Sequence, residues 1–155
     1  MKKNKYIYIY DSTLRDGAQT KGVDFSLSDK IAIAKILDKF GLDYIEGGWP
    51  GANNTDTEFF KKSPKLEKSK LVAFGMTYKN SSVLKKNFNK LKKKFKTKTI
   101  CIVGKTWDFQ VKKALNITEK ENLDIIKKNI ETASRYFNEV LFDAEHFFDG
   151  FKSKK

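Results

Sequence analysis

Five short runs rich in β-branched and aromatic residues recur along the chain, and a helical pattern follows each of the first four. The runs are Tyr6–Tyr10, Tyr44–Gly48, Lys70–Met76, Lys98–Val103 and Glu139–Glu145. Between the first two, Leu27, Ile31, Ala34, Leu37 and Phe40 recur at helical spacing, with Lys30, Lys35, Asp38 and Lys39 between them. Ser26 and Asp29 form a capping box ahead of that helix, and Gly41 suits a left-handed cap behind it. A short helix is predicted over residues 55–62. A longer one over 81–95 sets Leu84, Phe88, Leu91 and Phe95 on one stripe, and seven lysines between Lys85 and Lys96 form its solvated face. Thr118 and Glu121 make a second capping box, before a helix whose predicted core face is Leu123, Ile126, Ile130 and Ala133. Strict strand–helix alternation at a period of about 30 residues implies parallel strands joined by right-handed crossovers.

Two architectures share that pattern: a five-stranded doubly wound sheet and the N-terminal part of a TIM (β/α)8 barrel. Periodicity does not separate them, but the polar residues bear on the choice. Nearly every predicted strand ends in a candidate functional group, namely Asp11 to Asp16, Glu46, Thr77, Lys105 to Asp108 and Glu145. A barrel gathers such groups at one mouth. An open sheet favours a single switch point and often a Gly-rich phosphate loop, which this sequence lacks. The expected fold is therefore α/β, about five βα units of an incomplete barrel in one domain, because 155 residues fall short of the ~250 of a complete barrel.

Composition narrows the function. A 39% hydrophobic and 14% aromatic content supports a packed core. Cys101 is the single cysteine, so a disulfide scaffold is excluded and a cytoplasmic setting is expected. No apolar run approaches the ~20 residues of a membrane span, and no signal-type apolar segment follows the basic N-terminus. The net charge of +13 comes almost wholly from lysine, with Arg15 and Arg135 the only arginines. Nucleic-acid binders place arginine where bidentate contacts matter, so nucleic acid is an unfavoured partner. A basic flavodoxin-like module binding anions or RNA is the alternative of another class.

The polar loop after the first run, Asp11-Ser12-Thr13-Leu14-Arg15-Asp16-Gly17-Ala18-Gln19, is the densest group of candidate residues. Arg15 beside Asp16 has two readings: a plain salt bridge, or a cation that fixes a carboxylate substrate next to a carboxylate that binds a metal. Glu46 and Glu145 are either ordinary strand-end acids or site acids. His146, the only histidine, reads as a packing or loop contact, and Trp49 and Trp107 as walls or core.

This loop resembles the signature of the metal-dependent Claisen-condensing TIM barrels, the isopropylmalate, homocitrate and citramalate synthases. Tyr44-Ile45-Glu46-Gly47-Gly48-Trp49-Pro50-Gly51 is similar to the second-strand motif of that family, and its Gly-Gly-Trp-Pro form is most similar to the citramalate branch. Phe142-Asp143-Ala144-Glu145-His146-Phe147-Phe148-Asp149-Gly150 resembles the fifth-strand segment. The resemblance implies acyl transfer from acetyl-CoA to a keto acid, pyruvate giving (R)-citramalate, in branched-chain amino-acid biosynthesis, with a dimer as the family's assembly. It implies Asp16 as ligand of a divalent metal (Mg²⁺, Mn²⁺ or Zn²⁺) and Arg15 as the residue that holds the keto-acid oxygen and stabilises developing charge. It further implies Glu145 in enolisation of acetyl-CoA, with Gln19, Glu46 and Thr77 around the keto acid. The Gly-Gly-Trp-Pro segment argues against the related lyase branch. The family's paired metal-binding histidines, its usual asparagine and its later strands find no match here, so the expectation is an N-terminal portion of such an enzyme, inactive by itself.

Overall fold

The structure, a computed structural model, describes residues 6–95 and 97–153. Lys96, the last of the seven lysines expected on a helix surface, the basic start and the final two lysines lie outside the described residues. The chain divides into two compact units, Met1–Ala73 and Phe74–Lys155.

The first unit contains β1 (Tyr10–Asp11), a 3-10 turn (Gly17–Gln19), α1 (Leu27–Phe40), β2 (Tyr44–Gly48), α2 (Asn54–Lys62) and the start of β3 (Lys70–Met76). β1 pairs in parallel with β2, and β2 with β3. β2 is buried along its whole length, as expected of a parallel strand covered on both faces. Ile45, Phe59, Val72 and Leu14 are each fully buried and form the centre of this unit's core.

β1 is shorter than the predicted Tyr6–Tyr10. Ile9 stays tied to the start of β2, its carbonyl accepting from the Asp43 and Tyr44 amides at 3.2 and 3.1 Å, while the Asp43 carboxylate accepts from the Ile9 amide and the Tyr6 hydroxyl at 2.8 Å each. Tyr6, Ile7 and Tyr8 stay exposed. Both caps of α1 form as predicted, Ser26 and Asp29 closing a capping box and Gly41 adopting a left-handed φ of 82°. Its buried stripe, however, is Lys30, Ala34 and Asp38, while Phe40 is 79% exposed. Two positions assigned to solvent by periodicity are therefore inside.

The second unit continues with the end of β3, then α3 (Ser81–Phe95), β4 (Thr99–Lys105), α4 (Asp108–Lys113), α5 (Glu119–Ala133), β5 (Glu139–Glu145) and α6 (Phe147–Ser153). β4 and β5 run parallel in unbroken register from Thr99↔Glu139 to Lys105↔Glu145. Leu84, Phe88, Leu91 and Phe95 are buried as predicted, and the Phe88 ring meets Phe137 edge-on at 5.3 Å. Strand order within each unit follows chain order.

Three expectations change here. β4 runs past the predicted Val103 to Lys105. Two helices that the pattern did not predict are present, α4 before α5 and α6 after β5. The predicted core face of α5 holds at Ala133, which is fully buried, but not at Leu123, which is 66% exposed while Asn122 and Asn129 are buried.

Candidate active site

The polar loop of the first unit is built from a tight turn. The Ser12 carbonyl accepts from the amides of Arg15, Asp16 and Gly17 at 3.1, 2.8 and 3.2 Å. Asp11 braces the entry, accepting from the Thr13 amide and hydroxyl at 3.0 Å each. Leu14, fully buried, anchors the turn in the core. With Leu14 inward, Arg15 extends from the adjacent position to β2, where its Nε donates to Glu46 Oε2 at 2.6 Å. A second, longer bond joins Arg15 Nη1 to Asp16 Oδ1 at 3.4 Å.

This resolves the pairing of Arg15. Its principal partner is Glu46, a side chain 1% exposed, and Asp16, 61% exposed, keeps most of its carboxylate open to solvent. Burial opposes the guanidinium charge, but the hydrogen bond and charge of Glu46, with the charge of Asp16, hold its pKa above the ordinary value. The pair fixes a permanent cation in one orientation. Glu46 thus sits beneath the loop as the carboxylate that orients Arg15. Gln19 lies exposed at the end of the 3-10 turn.

Behind Glu46, the two glycines of β2 are spaces that neighbours occupy. A Cβ on Gly47 would meet the Phe59 ring at 2.5 Å, and one on Gly48, whose φ is +133°, would run into the Asp56 carboxylate. Asp56 accepts from the Trp49 amide at 2.8 Å and from Asn53 Nδ2 at 3.0 Å, and it pairs with the buried ammonium of Lys30. Sequence reasoning missed Lys30 and Asp56. The one signal was the glycine pair, which implies a close approach without naming what approaches.

In the second unit the ends of β4 and β5 bring Lys105 and Glu145 together, Nζ to Oε2 at 2.6 Å, both partly exposed. The Thr106 amide and hydroxyl donate to the Glu145 carbonyl at 3.0 and 2.7 Å, holding its backbone. His146 takes a left-handed φ of 59°, lies 3.0 Å from Gln110 Nε2 and 3.5 Å from Asp149, and tilts against Trp107 with ring centroids 5.8 Å apart. From the turn between β5 and α6 the ring thus reaches side chains of α4 and α6, and its Nε2 lies 3.9 Å from Glu145 Oε1. Thr77 is half-buried just beyond β3.

Among the described residues no group of three or more His, Cys, Asp or Glu side chains is placed to hold a metal ion. Asp16 alone, an open oxygen donor, is too few ligands for a metal centre. The described residues therefore do not fit one by themselves.

The α/β alternation, the parallel strands and the functional groups at strand ends define the N-terminal part of a TIM-type barrel. Solved structures agree on the fold. The chain resembles a hydroxymethylglutaryl-CoA lyase from Pseudomonas aeruginosa with a TM-score of 0.68 and 19% identity, over 88% of this chain and 45% of that one. An HMG-CoA lyase from Bacillus subtilis gives 0.63 at 19% identity, over 88% and 46%. The pattern of the HMGL-like family matches residues 6–151, and the chain belongs to that family. It is 51% identical over 150 residues to an (R)-citramalate synthase of Aquifex aeolicus and 46% identical over 151 to that of Geobacter sulfurreducens, covering 95% of this chain in each case. A 2-isopropylmalate synthase of Caldanaerobacter subterraneus is 34% identical over 142 residues, 91% of this chain and 35% of that protein. The chain spans 28% of the length of each of the two citramalate synthases.

Proposed function

We propose that this chain carries the keto-acid recognition loop and the enolising acid of an acyltransferase that condenses acetyl-CoA with pyruvate to (R)-citramalate, in branched-chain amino-acid biosynthesis. The observation that carries the reading is the Arg15–Glu46 pair at 2.6 Å, in a chain more similar to citramalate synthases than to the isopropylmalate synthase above. A buried carboxylate that orients a guanidinium fixes a planar cation at the loop. Pyruvate offers such a cation a carboxylate and an adjacent keto oxygen.

The chemistry requires a base to take a proton from the acetyl methyl. The resulting carbon then attacks the keto carbon of pyruvate, and negative charge gathers on the former carbonyl oxygen. Water then cleaves the thioester, and CoA leaves as the free thiol. Arg15 suits the stabilisation of that oxygen because its charge is already in place before the bond forms. Glu145 suits the proton abstraction, with Lys105 paired to its carboxylate at 2.6 Å. Gln19 and Thr77 are assigned to the keto-acid surroundings. A cytoplasmic setting fits this chemistry and the buried Cys101 thiol.

Pyruvate binding by the chain tests the reading. Titration followed by calorimetry or by the Arg15 Nε–H resonance is expected to show saturable binding that R15K weakens at least about tenfold, since an ammonium cannot reproduce the planar cation. Absence of saturable binding by the unsubstituted chain, or pyruvate affinity undiminished in R15K, would sink it. Because the described residues make no metal centre, CoA thiol release from acetyl-CoA and pyruvate is expected to be absent in this chain. Enzyme-like release would overturn that part.

A further inference from the structure

Helix α5 turns a polar stripe toward the strand ends of its own unit. Asn122 is 6% exposed and Asn129 is 0% exposed. Seven residues separate them, so they occupy one face about two turns apart. Asn122 Nδ2 donates to the Lys105 carbonyl at 2.9 Å. Asn129 bonds Tyr78 in both directions: its Oδ1 accepts from the Tyr78 amide and its Nδ2 donates to the Tyr78 carbonyl, each at 2.9 Å. The same Nδ2 also donates to the Ile125 carbonyl at 2.8 Å. An asparagine amide that engages both backbone groups of one residue acts as a neighbouring strand would.

Both contacts fall at C-terminal strand ends. Lys105 is the last residue of β4, and Tyr78 follows Thr77 just past β3. Packing alone does not call for asparagine, because a leucine on this stripe would bury apolar surface without desolvating an amide. The amide adds direction: it fixes where a particular carbonyl points, and so fixes the residue that carries it. Once the Lys105 backbone is set, its ammonium stands 2.6 Å from Glu145.

We propose that Asn122 and Asn129 are positioning residues for the chemistry of this unit. Asn122 acts through Lys105 on Glu145, and Asn129 acts through Tyr78 on the segment bearing Thr77. What Glu145 and Thr77 then do rests on the acyl-transfer reading, but the positioning itself does not.

The test uses the full chain and its N122A and N129A variants, with amide hydrogen exchange and the side-chain NMR signal of Lys105 as readouts. N122A is expected to speed exchange of the Thr106 amide, which donates to the Glu145 carbonyl, by about tenfold or more while Ile100 to Ile102 keep their protection. N129A is expected to do the same at the Tyr78 amide. The Lys105 ammonium resonance, narrowed by its pairing with Glu145, should broaden in N122A and persist in N129A. A merely structural role would not produce that selectivity. A uniform rise in exchange across β4 and β5, or an unchanged Lys105 signal in N122A, would overturn the proposal. Should N122A not fold, N122D keeps the shape, replaces the donor by an acceptor, and is judged by the same two readouts. Failure of the unsubstituted chain to respond to pyruvate tells against the acyl-transfer reading alone and leaves both readouts decisive for positioning.

Discussion

The two units bury polar groups on their main helices in different ways. In the first, α1 buries charge: Lys30 pairs with Asp56, and Asp38 accepts from the backbone amides of Glu67, Lys68 and Ser69 at 2.8, 2.8 and 2.7 Å. In the second, α5 buries neutral amides that bond backbone directly. The units differ again at their strand ends. Arg15–Glu46 is largely enclosed, whereas Lys105–Glu145 is 27% and 36% exposed. A buried charge must have its partner at hand, so the first unit is stiff but sensitive to loss of either member. Amides and half-exposed ions tolerate change better.

The largest expected effect tests the charged side of this contrast. K30M leaves Asp56 as an uncompensated buried carboxylate and should destabilise the chain by about 3–5 kcal/mol in denaturant unfolding, with the K30M/D56L double variant recovering much of the loss. If K30M costs no more than N129A, the contrast between charged and neutral stripes is lost.

Asp38 comes next. D38A strips three backbone amides of their acceptor and should cost about 2–3 kcal/mol. Burial works to raise the Asp38 pKa, and the amides of Glu67, Ser69 and Lys68, with the Ser69 hydroxyl, outweigh it and bring the value down from 3.8 to about 2. A depressed carboxylate pKa gives stability that is complete above the unfolded value and is lost as the pH falls through the folded one. Unfolding measured between pH 5 and 2 should therefore show a decline in the wild type that is smaller in D38A. Parallel curves would remove Asp38 from the account.

The smallest stability effect belongs to the second unit. E145Q breaks an ion pair that solvent already screens, and a change of about 0–1 kcal/mol is expected. A loss as large as that of K30M would mean that the Lys105–Glu145 pair is structural, and the role assigned to Glu145 would need revision.

Much of the fold was legible because it depends on local periodicity. The bounds of β2, β3, α3 and β5 match their runs, and both capping boxes form, since caps and apolar stripes are encoded within a few residues. What periodicity misjudged were Lys30, Asp38, Asn122 and Asn129. Polarity reads as exposure when partners far along the chain are unseen, and the partners here lie at Asp56, residues 67–69, Lys105 and Tyr78. Leu123 and Phe40 failed for the converse reason, since an apolar side chain at the edge of a stripe stays outside when a polar one is held in. In the site, Arg15 and Asp16 were legible as a charged loop, but Glu46 as the partner of Arg15 was not, because 31 residues separate them.

The sequence by itself determined the alternation of the five strands with α1, α2, α3 and α5, the caps of α1 and the N-cap of α5, and the loop from Asp11 to Gln19 that carries the family's signature. Only the tertiary structure decided which charges are inside, that Arg15 turns to Glu46 and leaves Asp16 open, and that Gly47 and Gly48 make room for Phe59 and Asp56. The physical reason is range. Helix caps and periodic stripes are satisfied by neighbours in the chain, whereas a buried charge or amide is stable only when folding delivers a partner from elsewhere.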